Sequence, residues 1–260
     1  MKRTPISISP SLFPSLFHPY LEGAQLYDSS CSPDARVYYI DKGNGLFLKT
    51  APKGTLAQEA AMTELYHRLG LAAEVLTYEQ ADADWLLTAC VPGEDCIHPQ
   101  YLDDPKRLSA LLGELLRKLH DTPLFAGIHD RTKVYVQTAS KRYRTGNYDA
   151  SLFPDNWGYH TAEEAWAVVE NTAPKLQSDT LIHGDFCLPN IMLDQWNFTG
   201  LIDLGAAGAG DRHIDLFWGA WSLWFNLKDN AWSQHFLDAY GRDRIDMDIL
   251  HSISAFEVFG

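Results

Sequence analysis

Residues 181–210 read LIHGDFCLPNIMLDQWNFTGLIDLGAAGAG. Two short polar loops, HGDFCLPN and IDLG, are each flanked by apolar residues of the kind found in strands. If the strands between the loops form a hairpin, Asp185, Asn190 and Asp203 come together. Carboxylate and amide oxygens are hard donors that suit Mg²⁺, which keeps some waters and takes further ligands from substrate phosphates. The stretch therefore predicts a site where magnesium and phosphate bind together.

The overall composition predicts a packed globular protein with strong negative charge. The chain has 260 residues, which is enough for one large domain or for two lobes that share a cleft. It has 34 acidic and 21 basic side chains, and its formal net charge is -13. Because this charge repels nucleic acid and anionic lipid but attracts cations, we expect a cationic small-molecule partner, no nucleic acid and no membrane.

The cysteines and the N-terminal residues predict a cytoplasmic protein. The four cysteines form no CxxC pair and have no nearby histidines at zinc-finger spacing, so we expect reduced thiols. No uninterrupted apolar segment of a signal peptide follows the basic start. The longest apolar run, residues 216–225, is about half the length needed to cross a bilayer.

The first part of the chain favours strands. Residues 35–50 form two β-branched or aromatic runs around DKGNG, which predicts a hairpin. Residues 55–69 have helical apolar spacing, and residues 74–78 and 85–91 are again extended. The turn-forming sequence PGED follows at 92–95, and we place a domain boundary there.

The rest of the chain favours helices. Helical apolar spacing recurs over residues 105–120, 132–144 and 161–171, and again towards the C-terminal end. The fold class is therefore α+β, with a small β-rich lobe before a larger and mostly helical one. The predicted division is a first lobe at 1–91, a hinge at 92–97 and a second lobe at 98–260.

The polar loops of residues 181–210 resemble those of a known family. The pattern H-G-D-x-x-x-x-N followed by I-D-L-G is similar to the catalytic and metal loops of the aminoglycoside phosphotransferase family, which shares the protein-kinase-like fold. The resemblance extends over nearly the whole chain. SPDARVY at 32–38 resembles the phosphate-side strand with one extra residue, LFLK at 46–49 the strand of the nucleotide lysine, and LLTACVPG at 86–93 the hinge. It implies a bilobal, kinase-like phosphotransferase.

The resemblance implies a nucleotide site in the first lobe. Lys49 would bind the α- and β-phosphates as a cation, and Glu59 would hold it as its ion-pair partner. Glu64 lies about one and a half turns further along the same predicted helix, but the family spacing favours Glu59. The backbone groups of Ala89 and Val91 would contact the base. The residues implied for nucleotide binding, with ATP or GTP as donor, are Ser32, Lys49, Glu59, Ala89 and Val91.

The same resemblance implies how the reaction proceeds. Asn190 and Asp203 would coordinate Mg²⁺ bridging the phosphates, and Asp185 would be the catalytic residue that accepts a hydrogen bond from the acceptor hydroxyl. Phosphoryl transfer makes little covalent demand on a protein, so positioning and charge neutralisation dominate. Because a carboxylate is a weak base toward an alcohol, we expect Asp185 to act mainly by orientation.

The resemblance to aminoglycoside 3'-phosphotransferases is less complete at the acceptor site. The residues it implies there are Asp155, Asn156, Trp157, Glu257, Phe259 and Gly260. The family usually ends in D-E-L-F, whereas this chain ends AFEVFG, so Phe256 replaces an acid and Gly260 is an addition. Phe225 stands at a helix position that is often acidic. Because a polyamine is bound best by several carboxylates, these departures predict weaker binding of a polycationic acceptor.

Some of these residues also have an ordinary structural interpretation. Asp and Asn beside Gly and Pro are common turn residues, and only the order and spacing of all the motifs favour the functional interpretation. His183 fits a buried residue hydrogen-bonded within its loop better than a base, and Cys187 fits a small, half-buried residue better than a reactive thiol. Trp218, Trp221 and Trp224 fit core packing, with an aromatic wall of the acceptor site as the alternative.

The leading interpretation is an ATP- or GTP-dependent phosphotransferase that acts on a small-molecule hydroxyl, first of all an aminoglycoside 3'-hydroxyl. A kinase of another hydroxylated metabolite or antibiotic is the alternative. A catalytically inactive kinase-like binding module is disfavoured, because the lysine and all three oxygen ligands are present. We expect a monomer or a homodimer.

Overall fold

The computed structural model describes residues 3–153 and 157–260. Its strands, in chain order, are β1 Thr4–Ile6, β2 Gln25–Asp28, β3 Arg36–Asp41, β4 Leu46–Pro52, β5 Val75–Gln80, β6 Ala83–Ala89, β7 Glu94–Asp95, β8 Thr180–Ile182, β9 Ile191–Asp194, β10 Asn197–Leu201 and β11 Gly208–Gly210.

The helices, in chain order, are α1 His18–Leu21, α2 Ala57–Arg68, α3 Pro99–Leu102, α4 Pro105–His120, α5 Arg131–Thr145, α6 Ala162–Thr172, α7 Arg212–Leu227, α8 Asn230–Tyr240 and α9 Met247–Glu257. Short 3-10 turns connect several of them. None of these described helices combines the length and the apolar composition that a membrane span requires.

The chain forms two compact units. The first unit comprises Met1–Cys96 and Pro189–Gly205, and the second comprises Ile97–Leu188 and Ala206–Gly260. This division departs from the predicted lobes, because the sequence predicts a second lobe that runs unbroken from 98 to 260. The departure has a physical reason: Leu201 N donates a hydrogen bond to Leu71 O at 2.7 Å, and β9 pairs with β7. The segment with the predicted metal ligands therefore belongs with the first unit.

A six-stranded antiparallel sheet dominates the first unit. Its order is β1-β2-β3-β4-β6-β5. The predicted hairpin is formed by β3 and β4, whose register runs from the Arg36–Thr50 pair to the Ile40–Leu46 pair. The strands β1 and β2 lie outside the predicted ones, because both are short and lack a clean apolar alternation.

Helix α2 crosses this sheet and carries a predicted site residue. It packs Ala60 against Leu86 of β6, and its first turn holds Glu59. The helix ends near the predicted stop, Gly70, which has a φ of +72°. Since glycine adopts this left-handed conformation without steric cost, the chain can turn back there toward β5.

The segment Pro189–Gly205 contributes a hairpin to a second, three-stranded sheet of the first unit. The order of this sheet is β10-β9-β7, and both pairings are antiparallel. Gln195 and Trp196 form the turn with φ values of 48° and 69°. Two positive φ angles match the type I′ turns that fit the twist of a hairpin. The turn therefore sets the register that brings the two ends of the segment together.

The second unit consists of helices α3 to α9 and the antiparallel pair β8 and β11. Helix α4 begins at Pro105 as the sequence predicts, and the side chain of Asp104 caps it by accepting from Arg107 N at 3.1 Å. It packs closely against α8, since a Cβ built on Gly113 would lie only 2.5 Å from Phe236 O. Only glycine permits this approach of the two helices.

The tryptophans of α7 do not share one buried face. Trp218 and Trp221 are half-buried and contact Trp157, whereas Trp224 is 39% exposed and Phe225 is 46% exposed. Three helical residues turn the chain by about 60° less than a full circle, so the third tryptophan points well away from the first. The prediction that all three pack in the core is therefore wrong for Trp224.

We expect Gly113→Ala to lower the free energy of unfolding by about 1–3 kcal/mol, because the added methyl group pushes α4 away from the backbone of α8. Denaturant unfolding measures the change. Glu114→Ala, on the exposed side of the same helix, is the matched control and should change stability by less than about 0.5 kcal/mol. Equal stability of the two variants would contradict the close packing described here.

Candidate active site

Lys49 lies in the middle of the large sheet of the first unit and is held by two carboxylates. It is on β4, between Val37 of β3 and Leu86 of β6. Its Nζ donates to both carboxylate oxygens of Glu59, at 2.9 and 2.7 Å, and to Asp203 Oδ1 at 2.8 Å. We call Lys49, Glu59 and Asp203 the lysine triad. The contact with Glu59 is the one that the sequence predicts.

The lysine triad keeps a positive charge in a mostly buried place. Burial would lower the pKa of Lys49, but the carboxylates of Glu59 and Asp203 outweigh this effect and raise the pKa above its ordinary value. Lys49 is therefore a cation throughout the neutral pH range. A fixed cation with three donors suits a phosphate oxygen, although its part in nucleotide binding stays a prediction.

The two predicted metal ligands stand at the adjacent ends of the β9–β10 hairpin. Ile202 N donates to Asn190 O at 3.0 Å, which brings the start and the end of the segment together. Asp203 follows directly with a φ of 61°, a left-handed conformation that Asp tolerates better than most residues. The Asp203 side chain is 55% exposed, whereas Asn190 is buried. Both offer oxygen atoms, so this donor set fits Mg²⁺.

Two protein oxygens do not complete a magnesium site. Among the described residues, no group of three or more His, Cys, Asp or Glu side chains could hold a metal ion. Mg²⁺ usually keeps several waters and takes other ligands from substrate phosphates. The donor set is therefore suited to a metal that arrives with a nucleotide.

The predicted phosphate-side residue Ser32 lies in the exposed loop between β2 and β3. Its hydroxyl accepts from Asp34 N at 3.1 Å and donates to Asp34 Oδ2 at 3.3 Å, which folds the loop back on itself. A cavity of about 440 Å³ is lined by this loop together with Asp28 and Arg36. The loop is therefore ordered by its own hydrogen bonds, and its contact with a nucleotide stays a prediction.

The predicted base-binding residues lie at the end of β6, which is Ala89, and two residues beyond it, at Val91. Ala89 N already donates to Glu74 O at 2.9 Å, so Ala89 can offer a base only its carbonyl oxygen. Cys90 N donates to Gly45 O at 3.0 Å and holds the segment against the β3–β4 turn. The Val91 side chain is buried, so a nucleotide would meet its backbone. The hydrogen bonds of Ala89 and Cys90 thus fix the backbone of this segment in the first unit. Its part in binding the nucleotide base stays a prediction.

The loop that carries Asp185 is held in the second unit by a buried carboxylate. Asp215 on α7 is fully buried, and its two oxygens accept from His183 N at 2.8 Å and Gly184 N at 2.7 Å. Gly184 has a φ of +84°, and a Cβ there would lie 2.1 Å from Ala206 O. The backbone before Asp185 is thus fixed without using the carboxylate of Asp185 in these bonds.

A buried histidine completes the support of Asp215. His120 Nε2 lies 3.2 Å from Asp215 Oδ2, and His120 Nδ1 lies 2.9 Å from Tyr240 Oη. Burial lowers the pKa of His120, although the Asp215 carboxylate opposes this effect. A neutral ring then donates from Nε2 to Asp215 and accepts from the Tyr240 hydroxyl at Nδ1. The two carboxylate oxygens of Asp215 and both ring nitrogens of His120 therefore each have a hydrogen-bond partner.

Two neighbours of Asp185 are structural. His183 is fully buried, and its Nδ1 accepts from Asp185 N at 3.2 Å, so it is a loop residue as the sequence predicts. Burial raises the pKa of the Cys187 thiol, and the carboxylate of Asp185 raises it further. A thiol in this environment stays protonated, which argues against a nucleophilic role. All four cysteines are free.

The predicted acceptor residues differ in where the structure places them. Asp155 and Asn156 lie outside the described residues. Trp157 and Glu257 line one cavity of about 670 Å³ in the second unit, and Gly260 lines it as well. The Phe259 side chain is fully buried, so it can offer an acceptor only main-chain groups. Its ring packs against Tyr143, Tyr148 and Trp166, and the role of Phe259 in acceptor binding stays a prediction.

Glu257 is one of two acidic side chains among the described lining residues of this cavity, the other being Asp149. Tyr135 Oη donates to its Oε1 at 2.5 Å. Burial raises the pKa of Glu257 to about 7, with the negative charge of Asp185 adding to the shift and hydrogen bonds from Tyr135 and Trp218 opposing it. Glu257 is therefore an acid that changes charge near neutral pH.

Residues 32–250 match the model of the phosphotransferase enzyme family. The chain belongs to this family. The predicted family resemblance, the α+β kinase-like fold and the predicted activity of an O-phosphotransferase are thereby confirmed.

Named relatives of this phosphotransferase agree with the assignment. It is 44% identical to a probable aminoglycoside 3'-phosphotransferase of Lactococcus lactis subsp. lactis (strain IL1403) over 254 residues, 95% of each chain. The solved aminoglycoside-3'-phosphotransferase of type VIII is similar with a TM-score of 0.77 and 27% identity, over 92% of this chain and 94% of that one. An aminoglycoside phosphotransferase from Streptomyces rimosus, solved with ADP and streptomycin, shares the fold with a TM-score of 0.68 and 22% identity, over 85% and 90% of the two chains.

Three residues of this phosphotransferase site were not predicted from sequence. Asp215 holds the loop before Asp185, Tyr135 binds Glu257, and Arg142 lines the same cavity as Glu257. One signal was available for Asp215, since it is the single carboxylate in the otherwise apolar run IDLFWGAW at 214–221, and a carboxylate in such a run must be buried and therefore paired. No comparable signal marked Tyr135 or Arg142, because both lie on a polar helix far along the chain from their partners.

The raised pKa of Glu257 predicts a pH-dependent stability. An acid that holds its proton more tightly when folded stabilises the fold below its unfolded pKa and loses that contribution as pH rises toward 7. We expect Glu257→Gln, which still accepts from Tyr135, to become more stable relative to the natural protein between about pH 5 and pH 8. The relative gain should be about 2–3 kcal/mol in denaturant unfolding.

Glu163→Gln, on the exposed side of α6, is the control for that measurement. Its unfolding free energy should run parallel to that of the natural protein over the same pH range. If Glu257→Gln also runs parallel, the carboxyl of Glu257 has the same pKa in the folded and the unfolded chain, which would contradict its burial.

Proposed function

We propose that this phosphotransferase moves the terminal phosphate of ATP or GTP to a hydroxyl of an aminoglycoside, of the 3'-hydroxyl type. The observation that carries the proposal is the lysine triad, which holds a permanent cation between two carboxylates in the first unit. The choice of acceptor is supported by the relative of 44% identity, which is named a probable aminoglycoside 3'-phosphotransferase. We further propose that the enzyme works in the cytoplasm, where nucleoside triphosphates are available.

In this proposal the first unit binds the nucleotide. Lys49 contacts the α- and β-phosphates, and Glu59 fixes the direction of its side chain. The loop with Ser32 lies along the phosphates, and the carbonyl of Ala89 and the backbone of Val91 meet the base. Positioning of this kind is most of what phosphoryl transfer requires from a protein.

Asn190 and Asp203 would hold Mg²⁺ together with the phosphates of the nucleotide. The bound ion would neutralise charge on the phosphate oxygens and fix their orientation. Asp203 would then have two tasks, since its Oδ1 also accepts from Lys49 at 2.8 Å. That contact aligns the cation and the metal ligand before the nucleotide binds.

Asp185 would orient the acceptor hydroxyl. Its carboxylate would accept the hydroxyl hydrogen bond and take the proton late in the transfer, as the oxygen becomes bonded to phosphorus. The rigid backbone contacts of Asp215 would hold the loop in place during this step. Asp185 is thus proposed to contribute orientation first and basicity second.

The acceptor would bind in the cavity of the second unit. Glu257 would accept from a substrate ammonium group, and the indole of Trp157 would pack against a sugar ring. Gly260 would contribute main-chain groups, and Asp155 and Asn156 are kept as proposed neighbours from the family resemblance. A cation on the acceptor would also favour the ionised form of Glu257.

The acceptor assignment is tested by measuring phosphate transfer from ATP and from GTP, with magnesium, to kanamycin- and neomycin-type aminoglycosides and to neutral hydroxylated compounds. We expect robust turnover of the aminoglycosides. Turnover of the neutral class alone would overturn the aminoglycoside assignment and favour a kinase of another hydroxylated compound. The product's position of phosphorylation, determined by NMR, tests the 3'-hydroxyl.

For the nucleotide site we expect Lys49→Ala to raise the nucleotide KM at least tenfold, because a charge-assisted contact with phosphate is lost. Steady-state kinetics at saturating acceptor measure the change. Lys53→Ala, an exposed lysine just after β4, is the matched control and should leave the KM within about twofold. A nucleotide KM unchanged by Lys49→Ala would remove Lys49 from the nucleotide site.

For the catalytic step we expect Asp185→Asn to lower kcat by about a hundredfold or more while the nucleotide KM stays within about twofold. The amide keeps the size of the side chain but cannot accept the proton. Asp194→Asn, at the exposed end of β9, should retain the natural kcat. A natural kcat in Asp185→Asn would show that another group orients the hydroxyl.

A further inference from the structure

The start of helix α2 has no capping side chain in its own sequence. The residue directly before the helix is Leu56, which has no side-chain oxygen, and no side chain caps the first turn from that position. N–H groups at the start of a helix have no partner within the helix and need an acceptor from elsewhere. Leu56 is buried with Ala60 and Leu86, so its N–H needs an acceptor from the protein.

Asp84 of β6 supplies this acceptor. Its side chain is fully buried, and its Oδ2 accepts from Leu56 N at 2.9 Å and from Tyr78 Oη at 3.1 Å. In the sheet, Asp84 pairs with Ala51 of β4, which lies two residues beyond Lys49. One buried carboxylate oxygen therefore ties the start of α2 to the sheet that carries the lysine.

Glu59 stands where a carboxylate of the helix itself can serve the same N–H. It is the third residue of α2. In a capping box, a glutamate at this position reaches back and accepts from the N–H of the residue before the helix. Here Leu56 N donates to Asp84 instead, and both carboxylate oxygens of Glu59 accept from Lys49 Nζ, at 2.9 and 2.7 Å. The hydrogen bond to Asp84 thus leaves the Glu59 carboxylate available to Lys49.

We infer that Asp84 is a positioning residue for nucleotide binding, a role that rests on the proposed function. It satisfies Leu56 N and thereby directs Glu59 toward Lys49 and not toward the start of its own helix. Without the acceptor at position 84, Leu56 N competes with Lys49 for the Glu59 carboxylate. Lys49 is then held by Asp203 alone within the lysine triad. The loss reaches the nucleotide through Lys49, because the buried side chain of Asp84 does not itself contact a ligand.

A double-mutant cycle with Glu59 tests this role. The Kd of ATP with magnesium, and separately of GTP with magnesium, is measured by titration calorimetry without an acceptor. We expect Asp84→Ala to raise the Kd about fivefold, the factor that one lost helix cap represents. Glu59→Gln should raise it at least as much. Adding Asp84→Ala to Glu59→Gln should raise it less than about twofold further, because residues that act through one contact are not additive.

Three further variants separate the hydrogen bond from general loosening of the fold. Asp84→Asn keeps an acceptor oxygen for Leu56 N and should keep the Kd within about twofold of the natural value. Asp82→Asn, in the exposed turn between β5 and β6, is the matched control and should not change it. Asp84→Leu fills the space without an acceptor oxygen and replaces Asp84→Ala if that variant does not fold. Denaturant unfolding gives the temperature at which all the variants are folded.

Acylation of Lys49 by acetic anhydride gives a second readout that needs no nucleotide. Only the neutral amine reacts. Burial lowers the pKa of Lys49, but Glu59 and Asp203 outweigh this effect and raise it, so loss of the Glu59 contact favours the neutral amine. Followed by mass spectrometry, acylation of Lys49 relative to the exposed Lys118 should become at least about threefold faster in Asp84→Ala. The double variant should react no faster than Glu59→Gln alone.

The outcomes that overturn the inference are distinct. If the effects of Asp84→Ala and Glu59→Gln multiply in the double variant, Asp84 supports the fold and does not act through Glu59. An unchanged Kd or an unchanged acylation rate in Asp84→Ala overturns the inference as well, and so does an equal loss in Asp84→Asn and Asp84→Ala. If the natural protein binds neither ATP nor GTP, the proposed function fails, while the acylation rates still decide whether Asp84 positions Glu59.

Discussion

A mostly buried lysine whose charge must be neutralised is the constraint on which the first unit depends. Lys49 loses much of its hydration in the middle of β4, and this loss is acceptable only because Glu59 and Asp203 stand within hydrogen-bond distance. The two carboxylates come from α2 and from the end of the β9–β10 hairpin. One cation thus connects the large sheet, its helix and a segment that arrives more than a hundred residues later in the chain.

The second unit depends on the same physical rule with the charges reversed. Asp215 is a carboxylate with no exposure to solvent. Its burial is stabilised by hydrogen bonds from two backbone N–H groups and from the ring of His120. The donors that satisfy it belong to the loop before Asp185. The buried carboxylate of Asp215 therefore holds the backbone of the loop before Asp185 in one conformation.

The cavity lined by Trp157 and Glu257 carries charged groups of both signs. A net charge of -13 attracts cations over long distances, but the cavity itself combines Arg142 with Asp149 and Glu257 among aromatic rings. Among its described lining residues, this cavity therefore brings one guanidinium and two carboxyl groups close to one another.

The sequence by itself determined the fold class and the family, and it predicted the residues of the site. Turn residues and apolar spacing predict β3, β4, α2 and α4 close to their observed bounds, because these elements have strong local patterns. The order of Lys49, Glu59, Asp185, Asn190 and Asp203 was sufficient to predict which residues to look for, since each belongs to a short motif.

Only the tertiary structure decided which distant residues meet. It assigns Pro189–Gly205 to the first unit, pairs Asp215 with the catalytic loop and places Arg142 beside Glu257. It also buries the side chain of Phe259, which the family resemblance had assigned to the acceptor. Local sequence patterns do not predict these contacts. A hydrogen bond between segments far apart in the chain depends on how the elements pack, and not on the spacing of residue types along one segment.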